Sequence, residues 1–168
     1  MADPTPPSKT GTRMDPLPVF CFWVQFTELE GTVDTYFKSV SGLRYETEVV
    51  PVRAGGANDT TFNLVGATKW SPLVLKQGFT VSASPASSPL LKWREQWLTP
   101  GAKMTRSSGT IVQLDTALTP KAAWKFFRGW PSKWELSEFD ASKNELAIET
   151  LEISHDGLQV VPPPPKKK

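Results

Sequence analysis

Apolar residues recur at every second position through most of the chain, which is the spacing of β-strands. The run FCFWVQF at 20–26 places three phenylalanines and one valine on the same side of an extended chain. The run YETEVVPV at 45–52 alternates apolar and threonine residues with glutamate, which is typical of a half-buried strand, and Pro51 predicts its end. A chain of 168 residues with this pattern is large enough to bury a core of its own.

Five more segments have the composition of short strands. They are TFNLV (61–65), PLVLK (72–76), KWELSEF (133–139), and the pair TIVQLD (110–115) and AAWKFFRGW (122–130), which predict a hairpin around the turn TALTPK. The run RAGGAND at 53–59 predicts a flexible loop.

One segment has convincing helical spacing, SSPLLKWREQWL at 87–98. Ser88 is a candidate N-cap, and Pro89 would occupy the first helical position. Three apolar residues then recur on one face: Leu90, Trp93 and Trp97. The predicted fold class is therefore mainly β, an antiparallel β-barrel or sandwich with one flanking α-helix.

The segment DASKNELAIETLEISHDGL at 140–158 could be a helix with a reactive histidine near its end, or a turn followed by a strand. Its β-branched residues favour the strand, and they are Ile148, Thr150 and Ile153. Residues 140–144 then become a turn, and His155 becomes a structural residue at a strand end.

Several predicted strands are apolar on both faces. In FCFWVQF, Cys21 and Trp23 make the second face apolar as well. A small barrel buries only its inner face, so something must cover the outside. The helix can cover part of it, and a neighbouring subunit is the natural cover for the rest, so we expect self-association.

Tails rich in proline and lysine frame the predicted domain. Residues 1–16 and 161–168 are expected to be flexible, around a single domain at 17–160. The 19 basic and 17 acidic residues give a net charge of +2, which does not indicate nucleic acid or an anionic membrane as the partner. The single cysteine, Cys21, lies in an apolar run, which indicates a reduced thiol and folding in a reducing cytoplasm. We expect neither a signal peptide nor a membrane anchor.

No combination of residues predicts an enzyme active site. His155 is the only histidine, no G-x-S-x-G elbow is present, and Gly55-Gly56 lacks the Gly-Lys-Ser/Thr of a phosphate-binding loop. We expect no catalytic, cofactor or metal site. Two alternatives stay open: an enzyme that uses His155, and a barrel that binds single-stranded nucleic acid by stacking bases on some of its 7 tryptophans.

Several stretches, taken in order, resemble the phage tail tube protein family, the myophage-type tube subunits also found in extracellular contractile injection systems. These stretches are DPLPVFCFWVQF, FKSVSGLRYETEVVPVRAGGAND, LVLKQG, KWREQW, SSGTIVQLD, WKFFRGWPSKW and DASKNELAIETLEISHDGL, and they cover roughly residues 15–158. The resemblance implies a β-barrel with a flanking helix, similar to the secreted Hcp ring of type VI systems.

The same resemblance implies a structural protein that forms hexameric rings. The rings would stack into a rigid inner tube inside a contractile sheath, with baseplate and cap components as further partners and a channel for cargo or DNA. Assembly would occur in the bacterial cytoplasm, and the tube would become part of a phage tail or of a released injection particle. Sheath contraction would drive the tube through a target envelope, so the resemblance implies no cofactor.

Candidate contact residues also follow from the resemblance. The loop from Arg53 to Asp59 would reach between stacked rings, with Gly55 and Gly56 letting the backbone bend and Asn58 favouring a turn. A second set would support the contact between subunits: Asn144, Glu145 and Glu149. The chain departs from the family at Gln77, where such proteins often have a basic residue, and in its PPPPKKK end. These departures favour an alternative, a tube-initiating subunit at the baseplate.

Overall fold

A computed structural model of the chain describes residues 21–29, 33–53, 55–56, 61–78, 89–138 and 147–165, with the side chains of Val33, Asp34 and Pro89 left aside. The described residues form ten strands and one helix. They are β1 (Cys21–Phe26), β2 (Val33–Phe37), β3 (Ser39–Ser41), β4 (Tyr45–Arg53), β5 (Thr61–Trp70), β6 (Leu73–Gly78), α1 (Pro89–Leu98), β7 (Ser107–Leu114), β8 (Pro120–Leu136), β9 (Ile148–Ser154) and β10 (Gly157–Val161). The mainly antiparallel β fold with one helix is confirmed.

Eight strands form one antiparallel sheet that curls on itself. Their order is β2-β1-β7-β8-β9-β6-β3, and β10 pairs with β8. At the junction of β2 and β3, the backbone N–H of Lys38 donates to the carbonyl of Lys76 on β6 at 2.8 Å, which closes the curl. The remaining strands, β4 and β5, form a separate two-stranded sheet. The body is thus a barrel-like sheet, and the β4–β5 hairpin stands apart from it.

Strand β8 is one 17-residue strand rather than the two strands predicted at 122–130 and 133–139. Its first half pairs with β7 and β10, and its second half pairs with β9. The strand continues through Pro131, and its register against β9 shifts between Pro131 and Lys133. A proline lacks the N–H that a regular ladder needs, and an irregular step of this kind accommodates it.

The predicted end of β4 at Pro51 is also wrong, because β4 continues to Arg53 with Pro51 opposite Asn63. Each strand of a two-stranded sheet is an edge strand, so a proline can sit there without breaking a second ladder. Strand β5 runs over ten residues, longer than the predicted 61–65. Most of β4 is exposed and not half-buried.

The main core lies inside the curled sheet under α1. Trp93 of α1 is 1% exposed, and its ring lies 5.5 Å from that of Phe26, which in turn lies 5.9 Å from that of Phe126. The indole N–H of Trp93 donates to the Thr105 carbonyl at 2.7 Å, so the helix is fixed by a hydrogen bond as well as by packing. The predicted helix and its apolar face are confirmed, while Ser88 lies outside the described residues.

The second face of β1 is buried within the chain itself. Trp23 packs with Val112, Leu114 and Ala123 in a smaller cluster, and all four are at most 5% exposed. This face of β1 therefore does not need a neighbouring subunit as its cover. The exposed apolar surface of the protein lies elsewhere, on β4 and β5.

Strand β9 confirms that the segment at 140–158 contains a strand and not a helix. Leu151 and Ile153 point into the core, and β9 pairs with both β6 and β8. Residues 139–146, which include the predicted turn, lie outside the described part of the chain.

Gly42, in the turn before β4, is a position that requires glycine. Its φ is +86°, and a Cβ built there would overlap the carbonyl oxygen of Pro72. The turn therefore brings two backbone segments closer together than any side chain would permit.

Candidate assembly surface

More than half of the large apolar side chains that are exposed in the described residues lie on the β4–β5 hairpin. They are Tyr45, Val49, Val50, Val52, Phe62, Leu64 and Val65. An exposed concentration of this kind marks a contact surface in a soluble protein.

The strand register sorts these side chains onto two faces. On one face Val50 lies opposite Leu64 and Val52 lies opposite Phe62, and we call these four residues the hairpin patch. Their exposed fractions run from 40% to 56%. Glu46 and Glu48 lie on the same face of β4, closer to its base. The opposite face carries Val49 and Val65, which are 60% and 87% exposed.

The base of the hairpin is fixed to the body. The rings of Tyr45 and Trp70 lie 5.4 Å apart across the two strands, and the ring of Trp70 lies 5.9 Å from that of His155. Beside them, the Arg44 guanidinium donates to the hydroxyl of Ser71 at 3.0 Å. The hairpin is therefore held at one end, while its distal half makes no substantial contact with other described elements.

The predicted loop residues lie at the distal end of the hairpin. Arg53 is the last residue of β4, opposite Thr61, and Gly55 and Gly56 form the turn that follows. Gly56 has a φ of +94°, and a Cβ there would meet no atom within 4 Å. Glycine is favoured here by the backbone conformation and not by crowding. Asn58 and Asp59 lie outside the described residues.

Glu149 forms hydrogen bonds through both oxygens of its carboxylate. The Trp134 indole N–H donates to Oε1 at 2.6 Å, and the Gln77 amide donates to Oε2 at 2.9 Å. The amide of Gln77 thus supplies a donor at the position where the resemblance implied a basic residue. The role of Glu149 at a subunit contact stays a prediction, and Asn144 and Glu145 lie outside the described residues.

His155 is buried and lies at the end of β9, as predicted. Its ring nitrogens lie 3.0 Å from the Gly157 carbonyl oxygen and 3.1 Å from that of Ser71. Burial lowers the pKa of His155, although the two carbonyls and the nearby Asp156 act in the opposite direction. Both nitrogens face carbonyl oxygens of the protein's own backbone, so the ring acts as a structural tie.

The tryptophans do not form an exposed stacking platform in the described residues. Trp23 and Trp93 are buried, and Trp97 stacks on Trp130 at 5.4 Å between ring centres. Trp134 is 37% exposed and carries the Arg94 guanidinium on its ring. This arrangement provides no row of open rings for the bases of a single strand.

Three strands of the main sheet have a ladder partner on one side only among the described strands. Strand β2 pairs with β1, β3 pairs with β6, and β10 pairs with β8. Unpaired edges offer N–H and C=O groups to strands of another chain.

The described residues contain no group of three or more metal-ligating side chains. No helix among them combines the length and the apolarity that crossing a membrane requires.

Sequence reasoning missed the hairpin patch and the Arg94–Trp134 contact. Valine, leucine and phenylalanine do alternate along both 45–52 and 61–65, and that pattern was a usable signal for an apolar face. What it could not indicate is that no other element covers this face.

Comparison with known proteins gives a consistent picture. A family model described as T4-like virus tail tube protein gp19 matches residues 18–159. A comparison with curated protein sequences gave no significant match.

Several solved structures share this fold. A chain of the anti-feeding prophage baseplate, six-fold symmetrised, is 25% identical with a TM-score of 0.76, over 89% of this chain and 97% of that chain. A chain of the sheath-tube complex of PVC, an extracellular contractile injection system, in the extended state is 23% identical with a TM-score of 0.67. The match covers 87% of this chain and 93% of that chain. An Hcp protein is 10% identical with a TM-score of 0.52, and the match covers 82% of this chain and 89% of that chain.

Proposed function

Because the chain belongs to the T4-like virus tail tube protein gp19 family, we propose that it is an inner-tube subunit that assembles into stacked hexameric rings around a channel. The members of this family are structural components and not enzymes, and His155 accordingly ties backbone segments together. The solved relative described as six-fold symmetrised supports the number of subunits in a ring.

The observation that carries the proposal is the β4–β5 hairpin. An isolated two-stranded sheet is at best marginally stable in water, yet this one has ten-residue and nine-residue strands with apolar side chains on both faces. Burial of one valine, leucine or phenylalanine side chain contributes about 1.5–3 kcal/mol. Packing the hairpin against a second copy therefore supplies the cover that its own chain does not.

The free edges of β2 and β10 support lateral association. They lie on different strands, so joining β2 of one copy to β10 of the next repeats the same contact around a ring. Such a ring would continue the sheet from subunit to subunit and leave a channel for cargo or DNA.

The partners of the tube follow from the same family. We infer a contractile sheath around the tube and baseplate and cap components at its ends, as in the particles that contain the similar chains. The tube would be assembled in the bacterial cytoplasm and then form part of a phage tail or a released injection particle. Its action is mechanical, driven by the sheath.

A second candidate is a tube-initiating subunit at the baseplate. The similar chain that comes from a baseplate structure supports this role. A repeating subunit polymerises into tubes of variable length, whereas an initiating subunit stops at single rings.

Negative-stain microscopy and light scattering of the purified full chain test both candidates. We expect six-fold rings whose fraction rises with protein concentration. Long tubes support the repeating subunit, and isolated rings support the initiating one. A protein that remains monomeric at high concentration contradicts the proposal.

A further inference from the structure

The enclosed side-chain polar atoms that lack a hydrogen-bond partner in the described part of the chain all belong to one helix. They are Nε and Nη1 of Arg94, Oε1 of Gln96 and Nε1 of Trp97 on α1. Native proteins leave few such atoms unpaired, because each unpaired atom loses its hydrogen bond to water without replacement. Their concentration on α1 singles out this helix as the part of the described chain whose polar groups are least satisfied by the chain's own fold.

Arg94 is held in place before any partner arrives. Its guanidinium carbon lies 4.2 Å from the centre of the Trp134 ring, and the Trp134 indole is fixed by its hydrogen bond to Glu149. The other oxygen of Glu149 accepts from Gln77, so both carboxylate oxygens are occupied. Arg94 forms no ion pair among the described residues. Arg94 is therefore an ordered, half-buried cation without an ion-pair partner among these residues, and a carboxylate that reaches its accessible part binds it at a low cost in side-chain entropy.

The hairpin carries carboxylates that match this cation. Glu46 and Glu48 are exposed, and among the described residues neither forms an ion pair or a side-chain hydrogen bond. Alternation along β4 places them on the same face as the hairpin patch, with Lys69 opposite Glu46 and a register shift against β5 between Thr47 and Val49. Glu48 therefore has no lysine opposite it, and a matching surface must combine a cation with apolar area.

The surface around Arg94 has both properties. Leu98 lies four residues beyond Arg94 on α1, hence on the same side of the helix, and is 72% exposed. Trp134, under the guanidinium, is 37% exposed. We call Arg94, Leu98 and Trp134 the Arg94 surface.

We propose that the Arg94 surface receives the hairpin face that carries Glu46, Glu48 and the hairpin patch from a second copy of the chain. Strands β4 and β5 make no substantial contact with α1 of their own chain, so the contact is between molecules. It joins two different surfaces and therefore propagates head to tail. This inference rests on the proposed self-assembly and names the pair of surfaces that carries it.

Charge reversal and charge exchange test the pairing in the full-length chain. Glu48→Lys and Arg94→Glu should each raise the concentration at half-assembly by about tenfold or more, because each variant places like charges in contact. The double variant with Glu48→Lys and Arg94→Glu should recover most of the lost assembly, with a concentration at half-assembly close to that of the unchanged protein. Glu95→Lys, an exposed reversal on the same helix, is the matched control and should assemble as the unchanged protein does. Circular dichroism confirms folding, and Arg94→Gln replaces Arg94→Glu if the latter does not fold.

The outcomes separate this pairing from the self-assembly on which it rests. Rings that form equally well with either single reversal overturn the pairing and leave the tube proposal intact. Folded single variants that fail to assemble, combined with a double variant that also fails, likewise overturn it. If the unchanged protein forms no rings, both the pairing and the tube proposal are overturned. Loss in each single variant with recovery in the double variant supports the pairing.

Discussion

His155 joins two chain segments, 70–71 and 155–157, through one buried ring. Its two nitrogens face carbonyl oxygens of Ser71 and Gly157, while its ring contacts Trp70 at the base of the hairpin. A neutral imidazole has one N–H, so it donates to one carbonyl at a time. The ring is thus a structural tie between the hairpin base and the turn that leads into β10.

The lowered pKa of His155 predicts that the protein loses stability on acidification. Unfolded histidine titrates near 6.5, and burial holds the folded value below that. Between the two values the unfolded chain binds a proton that the folded chain does not, so the free energy of unfolding falls as the pH decreases. Below the folded pKa the loss levels off. Urea unfolding of dilute monomer at several pH values between 7.5 and 5 measures it.

His155→Gln is the control for this pH dependence. It keeps one amide donor in the turn and cannot titrate, so its stability should be lower but flat across the same pH range. An equal slope in the variant would show that other groups cause the pH dependence.

Glu149→Ala should lower the free energy of unfolding by about 1–3 kcal/mol, because it leaves the Trp134 indole and the Gln77 amide without their acceptor. Glu152→Ala on the same strand is the matched control, since Glu152 has a side-chain ion pair of 3.9 Å with an exposed lysine. That change should cost no more than about 0.5 kcal/mol. Denaturant titration of both variants compares them. The interface role of Glu149 requires in addition that ring formation falls by more than this loss of stability explains.

Gly42→Ala should destabilise the fold by at least about 2 kcal/mol. The new Cβ overlaps the Pro72 carbonyl, and the positive φ disfavours any residue with a side chain. Gly78→Ala is the control, because a Cβ there meets no atom within 4 Å. Thermal unfolding of the two variants should separate them clearly, and similar melting temperatures would contradict the tight turn.

At the level of elements, sequence patterns predicted what depends on local spacing. Leu90, Trp93 and Trp97 on one helical face indicated α1, and the β-branched residues near Ile148 indicated β9. The patterns failed to predict where a strand ends when its pairing with a neighbouring strand determines its length. Pro131 and Pro51 interrupt a local pattern, but the strands continue because an irregular register or an unpaired edge tolerates a missing N–H.

Candidate contact residues were harder to predict than strands. Exposure of the hairpin patch depends on which elements do not pack against β4 and β5, and no local pattern contains that information. Glu149 was singled out by its motif, whereas its hydrogen bonds join strands β6, β8 and β9, which lie far apart in the sequence.

The hairpin as an element should contribute to assembly and little to the folding of the body. The double change Val50→Ser and Leu64→Ser removes half of the hairpin patch from side chains that are 40% and 56% exposed. We expect rings to require at least about tenfold more protein, since each lost apolar contact is worth about 1 kcal/mol or more. Sedimentation velocity measures the assembled fraction.

Met104→Ser is the matched control for the hairpin change, because Met104 is 55% exposed and lies outside the hairpin. It should assemble like the unchanged protein. Equal assembly of the hairpin variant and this control would exclude the hairpin patch from the contact.

At the level of the whole molecule, the proposed contacts use different surfaces of the same chain. The hairpin extends from one side, while the Arg94 surface lies on α1, and the free edges belong to β2 and β10. Pairs of unlike surfaces generate rings or extended stacks, whereas a self-complementary patch stops at a dimer. This geometry gives the assembly a direction.

Directional assembly predicts that a chain with a defective hairpin acts as a terminator. The Val50→Ser and Leu64→Ser chain keeps its receiving surface, so it can accept the hairpin of an unchanged chain but cannot offer a competent hairpin of its own. We expect this variant, added at about one part in ten, to shorten assemblies or to reduce the number of closed rings in negative-stain images. The decrease should be larger than the fraction of variant in the mixture. Under a self-complementary contact the defective chain would stay outside the assemblies, and their length and number would fall only by dilution.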